Sequence, residues 1–581
     1  MRQISQWLLL LLALTLPFEL DQPLVNIGPL AITNVELLLG LILLVAGLML
    51  IWWQQRPLRL TQCRPSNPLP HRRWIVLLVA GGMFVATAVL APEHNANALK
   101  ASLRLLSGIG LALAVPQLVS SAAQRTKLIW AMIASGLLVA VIGIAEVWLG
   151  RELGWLLPFR AGITVAGEYL RLTGPLDYAN HAAIYLEAIV PLLLMAGWLW
   201  WQRSRKTAVL LLNLLLLLLL LQASFLTLSR ASFLTIGAVS GAMLLLLSWR
   251  LKLAQPWLGL LGLVGLLFIF HNYASEAFRL RLGSEGDSSW YLAEWQVPQT
   301  LTLVANDTRD VPLTVTNNGA LVWSSQRQPP INLGGRWIQD ESGLQLTEPR
   351  WPFEQPVLPG QTVSLQIPVR APALPGEYTL IWDVVQEQIT WFGEKSNVFA
   401  TTSVVVLPGN ADSDVPPETA VPAWAYQLPI PDRSTLWPLA LQMVGERPLL
   451  GIGLDNFRLV YGRWLNADSW NETIHTNNWY LEFLVGSGLM ATIPFFIWLV
   501  WEGKAAWRVL RRRPVDAWQV AILASLLAYL IHGLVDFFLL FNSTGLLFWL
   551  LVGLWWQSNS FVKQTSTQNV IPASAGIHAG E

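Results

Sequence analysis

The chain has 581 residues, of which 54% are hydrophobic and 13% charged, where a soluble globular protein carries about 25% charged residues. A purely water-soluble protein is thereby excluded. Formal net charge is +1, from 37 basic and 36 acidic residues, so the totals imply no polyanionic partner such as nucleic acid, and the single cysteine, Cys63, excludes a disulfide framework and a cysteine-based metal site.

A helix crossing about 30 Å of hydrocarbon needs about 20 mostly apolar residues. In chain order such runs start near Trp7, Val35, Trp74, Leu103, Leu128, Ala179, Thr207, Ser232 and Trp257, then, after a polar stretch, near Tyr480, Trp518 and Ser543. The first run is short and contains Pro17, but no small-residue cleavage site follows it, so it is read as a span and not as a signal peptide. The expected fold class is an all-α polytopic membrane protein of about twelve transmembrane helices with an inserted all-β domain. Its divisions are an N-terminal bundle of about nine helices over 1–285, a β-sandwich over 297–407, a linker over 408–431, an outer loop over 432–479, C-terminal helices over 480–558 and a cytoplasmic, disordered tail over 559–581.

Lys and Arg in the short loops set the orientation. With the N-terminus inside, Arg56, Arg59, Arg64, Arg72, Arg73, Arg125, Lys127, Arg203, Arg205, Lys206, Arg250, Lys252, Lys504, Arg508 and Arg511 to Arg513 all fall on the cytoplasmic side. Both termini are then inside and the polar insert outside. Against that bias, Arg151, Arg160, Arg171 and Arg230 lie on the outer side and call for an explanation.

From Gln299 to Leu407 the hydrophobic period changes to two, with turns at Asn317-Asn318-Gly319, Pro359-Gly360 and Pro375-Gly376. Short strands at that spacing predict a sandwich. The pattern, with Trp323, Trp382 and Tyr378, resembles tryptophan-rich immunoglobulin-like domains. Trp323, Trp337, Trp351, Trp382 and Trp391 are candidates for a sugar-stacking face, although a sandwich without disulfides needs large aromatic side chains in its core, and core is the plainer expectation.

Three segments at outer membrane boundaries hold the candidate chemistry: Arg171 to Asn180, Thr227 to Ala231, and Arg433 to Gly488. A guanidinium suits oxyanions because its planar fork donates parallel hydrogen bonds and stays charged at any working pH. His475 is a candidate base, since histidine titrates near neutrality. His532 and Asp536, four apart, are expected on one helix face, and Asp177 or Asn180 as a helix N-cap. Gly451 and Gly453 suit a tight turn, with no phosphate-loop pattern around them.

Arg171-Leu-Thr-Gly174, Ser229-Arg-Ala231, Arg433 to Trp437, Pro448-x-x-Gly-x-Gly-x-x-x-Phe457 and His475 to Leu481 together resemble, in order and in side, the motifs of the O-antigen ligase and polymerase superfamily of bacterial envelope glycosyltransferases. The resemblance covers residues 5–285 and 430–558, with the β-domain as an insertion. It implies a metal-independent enzyme without cofactor, in the cytoplasmic (inner) membrane, that moves a glycan from a polyprenyl diphosphate carrier to an acceptor hydroxyl on a glycan, lipid or protein at the outer face. On this resemblance Arg171, Arg230 and Arg433 hold the diphosphate and His475 engages the acceptor, with Arg447, Asn477, Asn478, His532 and Asp536 in support. The match departs at Asn477, which falls where the family most often has its histidine, and at Gly486, which replaces a glutamate.

Ligase and polymerase share a donor and are not separated by these residues. A bicarbonate-transporter-like protein is the alternative from another class; it predicts inverted repeats and helices broken at the midplane, and the polar groups cluster instead at the outer boundary. A membrane anchor that only displays the β-domain would not need so many helices.

Overall fold

The computed structural model describes residues 2–27, 30–54, 73–160, 162, 164–166, 169–283, 287–326, 330–339, 345–347, 350–387, 390–408, 431, 433–465, 470–511 and 515–568. Each of the twelve apolar runs forms a helix: α1 (Arg2–Thr15), α2 (Asn34–Gln54), α3 (Arg73–Val89), α4 (Asn95–Leu118), α5 (Ala122–Leu149), α6 (Ala179–Ser204), α7 (Thr207–Leu226), α8 (Arg230–Leu246) and α9 (Leu251–Ala274) before the insert. Four short helices follow, α10 (Glu276–Gly283), α11 (Phe392–Ser396), α12 (Arg433–Glu446) and α13 (Phe457–Trp464), and then α14 (Trp479–Arg511), α15 (Ala517–His532) and α16 (Asn542–Gln568). Seven of them, α2, α4, α5, α6, α7, α9 and α14, are long and apolar enough to cross a membrane, while α1, α3, α8 and α15 are apolar but shorter. α4 begins eight residues before its apolar core at Leu103, because its first turns carry Asn95, Asn97 and Lys100.

Helix ends are set locally. The Ser121 hydroxyl accepts from the Gln124 amide in a capping box that starts α5, and Asp516 accepts from Trp518 to start α15; such caps satisfy amides that have no partner within the helix. α6 is the central element, buried along almost all of Ala179–Gly197 and packed against α5, α7, α8 and α15.

α14 is broken at Gly488, where φ is 59°. The break leaves peptide groups without helical partners, and the segment before α13 supplies them: Leu489 and Met490 donate to the carbonyls of Pro448 and Leu449 at 2.8 and 3.1 Å, and Ile452 and Gly453 donate to Val485 and Gly486 at 3.0 and 2.7 Å. Gly451 makes this approach possible, since a Cβ there would lie 2.6 Å from the Gly486 backbone. The Gly451 and Gly453 turn is therefore a docking element for the broken helix.

The insert is a separate β region. Two small hairpins, β1 (Val25–Ile27) with β2 (Leu30–Ile32) and β3 (Val165–Ala166) with β4 (Tyr169–Leu170), lie elsewhere in the chain. In the insert, β5 (Ala293–Gln296), β7 (Thr308–Asn317) and β11 (Thr362–Arg370) form a sheet of order β11-β7-β5. A second sheet has the order β10-β8-β12-β14-β6, from β6 (Thr300–Val304), β8 (Ile331–Gln339), β10 (Trp351–Pro352), β12 (Gly376–Gln386) and β14 (Ala400–Leu407), with β9 (Gln345–Thr347) and β13 (Thr390–Trp391) at its margins. The strands start at 293, slightly before the expected boundary. The turn at Asn317 forms as its sequence predicts, with the side-chain oxygen accepting from Gly319 at 3.1 Å and the amide donating to Leu321 and Val357. Trp323, Trp337, Trp382 and Trp391 are buried, which favours core over a stacking face, and Trp391 lies between the guanidiniums of Arg336 and Arg350, 4.1 and 4.3 Å from its ring centre. Residues 409–430 of the expected linker and 569–581 of the expected tail lie outside the described residues, and α16 runs on through 559–568.

Candidate functional site

Two polar belts mark opposite ends of the helix bundle. One holds Arg73 with Glu502 at 3.1 Å, Glu502 with the Trp555 and Trp556 indoles, and Arg125 with Asp516 at 2.7 Å. All the candidate residues lie at the other end.

His475 is held there by the loop that leads into α14. Glu482 accepts from the Thr476 amide at 2.9 Å, the Trp437 indole donates to the Thr476 carbonyl at 2.9 Å, and the Asn478 oxygen accepts from Leu481 at 3.0 Å while its amide donates to Leu534 at 3.0 Å. Asn478 is thus a structural cap. Asn477 sits in the left-handed region, φ 51°, and its side chain makes no hydrogen bond to a described residue, whereas His475 Nε2 lies 2.8 Å from Asp455 Oδ1. The imidazole also packs on Phe537 and Phe541, with ring centres at 4.9 and 5.7 Å.

Asp455 was not among the sequence candidates. It occupies the turn just before α13 with φ 68° and accepts from Arg458 at 3.1 and 2.9 Å and from Asn97 at 3.1 Å. Burial pushes its carboxyl up, but the bonds from His475 and Arg458 outweigh this and lower it to about 2. Burial likewise opposes the charged imidazolium of His475, and the Asp455 bond with the charges of Glu482 and Asp455 outweighs it, so His475 is held above its ordinary value. An ionised carboxylate only accepts hydrogen bonds, so Nε2 carries the proton and Nδ1 of the neutral ring is left for a substrate.

Arg171 is buried and donates to the Thr227 carbonyl at 2.8 Å and to Asn180 at 2.7 Å. With the Leu172 amide bonded to the Leu226 carbonyl at 2.9 Å, this sets the Arg171 loop beside the turn that carries Ser229 and Arg230. Asn180 therefore serves Arg171; neither it nor Asp177 caps α6, whose N-cap is Tyr178 with no side-chain bond. Arg433 donates to the Val535 carbonyl at 3.2 and 2.6 Å. Arg160 has a different role: wholly buried, it bonds Glu146, Thr173 and the Gly174 carbonyl and so fixes the loop that follows Arg171. Arg447 is exposed, and no hydrogen bond to a described residue draws its side chain toward the others.

The segments that carry Arg433 and His475 meet at the turn 533–541. Arg433 and Asn478 bond its backbone, His475 packs on Phe537 and Phe541, and His181, the residue after Asn180, packs tilted on Phe541 with ring centres 4.0 Å apart. α15 ends at His532, so Asp536 lies in this turn and not on the expected helix face. The pair still forms loosely, with His532 Nε2 3.8 Å from Asp536, but the closer partner of His532 is Glu187 on α6, at 3.0 Å from Nδ1. Glu187 carried a usable signal, an ionisable residue inside an apolar helix. At this turn a guanidinium, Arg433, and a proton acceptor, His475, are held by the same chain segment. No model of a known protein family matches the chain, and no curated protein matches it.

Proposed function

We propose that the protein is a multi-pass glycosyltransferase of about twelve spans, O-antigen ligase-like, that transfers a glycan from a polyprenyl diphosphate to an acceptor hydroxyl on the outer side of the cytoplasmic membrane. The observation that carries this reading is His475 bonded to half-buried Asp455 at 2.8 Å and packed on the turn whose backbone Arg433 binds. In the reaction the acceptor hydroxyl gives its proton to His475 Nδ1, its oxygen bonds the anomeric carbon, and the bond from that carbon to the diphosphate oxygen breaks with its electron pair on the leaving group. Negative charge grows on the diphosphate, and arginines fixed in a site of low dielectric stabilise it. The immunoglobulin-like reading of the insert is supported by Tyr378, whose hydroxyl donates to the Leu374 carbonyl at 2.8 Å, the corner found in such sandwiches; we infer a role in capturing or placing the acceptor.

Disruption of the gene, followed by analysis of surface polysaccharide and lipid-linked precursor, tests the reading. Accumulated polyprenyl-linked glycan with loss of surface glycan indicates a ligase, and loss of chain length alone a polymerase. Unchanged surface glycan and unchanged precursor would overturn both.

A further inference from the structure

Lys100 is a partly buried cation near the outer end of α4 that the reaction above does not use. At about 100° per residue, Asn97, Lys100 and Arg104 share one face of α4 within about 60°. The direction of that face is fixed at both ends. Asn97 bonds Asp455 at 3.1 Å and accepts from Arg458 at 3.0 Å, and Arg104 bonds Glu36 at 2.6 Å. Lys100 between them therefore faces the His475 side of the bundle and not lipid.

Its neighbours leave positive charge uncompensated. Arg104, Glu36, Asp455 and Arg458 are among the charged groups acting on Lys100, and with Lys100 itself these are three cations and two carboxylates. Both carboxylates are already bonded to arginines, Glu36 to Arg104 and Asp455 to Arg458, and Lys100 forms no hydrogen bond or ion pair with a described residue. The contacts continue back to the site: the Glu36 carboxylate accepts from the Thr33 amide at 3.0 Å, the Thr33 hydroxyl bonds Glu19 at 2.8 Å, and Glu19 accepts from Asn542 at 2.6 Å, next to the Phe541 ring that packs on His475. A surplus cation on a partly buried face, where water screens poorly, is stabilised by a bound anion.

We propose that Lys100, flanked by Arg104 and Arg458, forms an oxyanion subsite on the α4 side of His475, distinct from Arg171, Arg230 and Arg433, for a phosphate or carboxylate carried by a substrate. Which substrate carries it rests on the glycosyl-transfer reading; the subsite itself does not.

Acetylation of lysine amines in the purified full-length protein, followed by mass spectrometry, tests this without any transfer reaction, with exposed Lys127 at the opposite end as internal control. The probes are inorganic pyrophosphate, standing for the donor head group, and glucose 6-phosphate and glucuronate, standing for a sugar-borne anion, each against chloride at equal ionic strength. A probe at about ten times its half-protecting concentration slows Lys100 acetylation about tenfold by mass action and leaves Lys127 unchanged. Stronger protection by pyrophosphate assigns the subsite to the donor, and stronger protection by the sugar-borne anions assigns it to the acceptor. Lys100 acetylated equally fast in every probe and in chloride overturns the proposal. In a second measurement, Lys100→Arg retains binding of the protecting probe and Lys100→Met loses it at unchanged thermal stability; equal binding by wild type and Lys100→Met also overturns it.

Discussion

Replacing Asp455 by asparagine removes one negative charge from the His475 pair and little else in volume. The fall of Asp455 from an ordinary 3.8 to about 2 corresponds to roughly 2 kcal/mol in favour of its charged form. His475 and Arg458 share that stabilisation, so the part returned to His475 is on the order of 1 kcal/mol, or between about half and one pH unit. The sign follows from the role of a base, which must be neutral to accept a proton. His475 is held above its ordinary value, so wild-type transfer fails as pH drops through that raised pKa. Asp455→Asn lowers the pKa and moves the acid limb of the single-turnover rate to lower pH by that amount. The plateau rate at higher pH falls about 10- to 100-fold, the loss seen when the outer hydrogen-bond partner of a metal-bound histidine is removed. An acid limb that stays in place or moves upward, with an unchanged plateau, would refute the coupling of Asp455 to a working His475.

His475→Ala should leave donor binding near wild type while transfer slows about 100-fold or more; wild-type transfer by this variant puts the base elsewhere. Arg230→Ala and Arg433→Ala should each cost roughly 2 to 4 kcal/mol of transition-state stabilisation, with poor rescue by lysine because a point charge cannot reproduce the guanidinium fork; full rescue by lysine in single-turnover assays would argue against bidentate binding. Arg160→Met should lower thermal stability in detergent by about 3 to 5 kcal/mol, since it leaves Glu146 buried without its partner, and Glu146→Gln in the same chain should recover much of the loss; an unchanged melting temperature would contradict the structural role given to Arg160. Reporter fusions at Asn410 and Ser558 should report outside and inside respectively, and cytoplasmic activity at Asn410 would remove the basis of the proposed reaction.

The helices were legible because an apolar run near 20 residues has few other stable outcomes in hydrocarbon, and each run found in the sequence starts or lies within a helix. Turns of the insert were legible at Asn317 and Gly360 for an equally local reason, a side chain that bonds its own turn and a residue free to take φ 79°. The pairings that build the site were not legible, because they join residues distant in the chain and none has a local pattern. Glu187 and His532 are 345 residues apart, and Asn97 and Asp455 are 358 apart. Even Asp455 and His475, only 20 apart, lie on either side of α13, and no local pattern in the sequence pairs them.

This bears on how the arginines and the histidine divide their work. In the sequence Arg160 only called for an explanation while Arg171 and Arg433 were expected to hold an anion, and their surroundings differ accordingly. Arg160 is consumed by Glu146 and Thr173, Arg171 directs two donor groups to Thr227 and Asn180, and Arg433 grips one carbonyl of the turn that also seats His475. A guanidinium has five donors, so Arg433, which fixes the turn with two of them, can still turn others toward a ligand; such anchoring is what a preorganised anion site requires, because a flexible cation would lose in ordering much of what it gains in attraction. The same logic applies to His475. A histidine on a free loop would titrate near its ordinary value and face no fixed direction, whereas one bonded to a half-buried carboxylate and packed on two phenylalanines presents a single nitrogen to a single place.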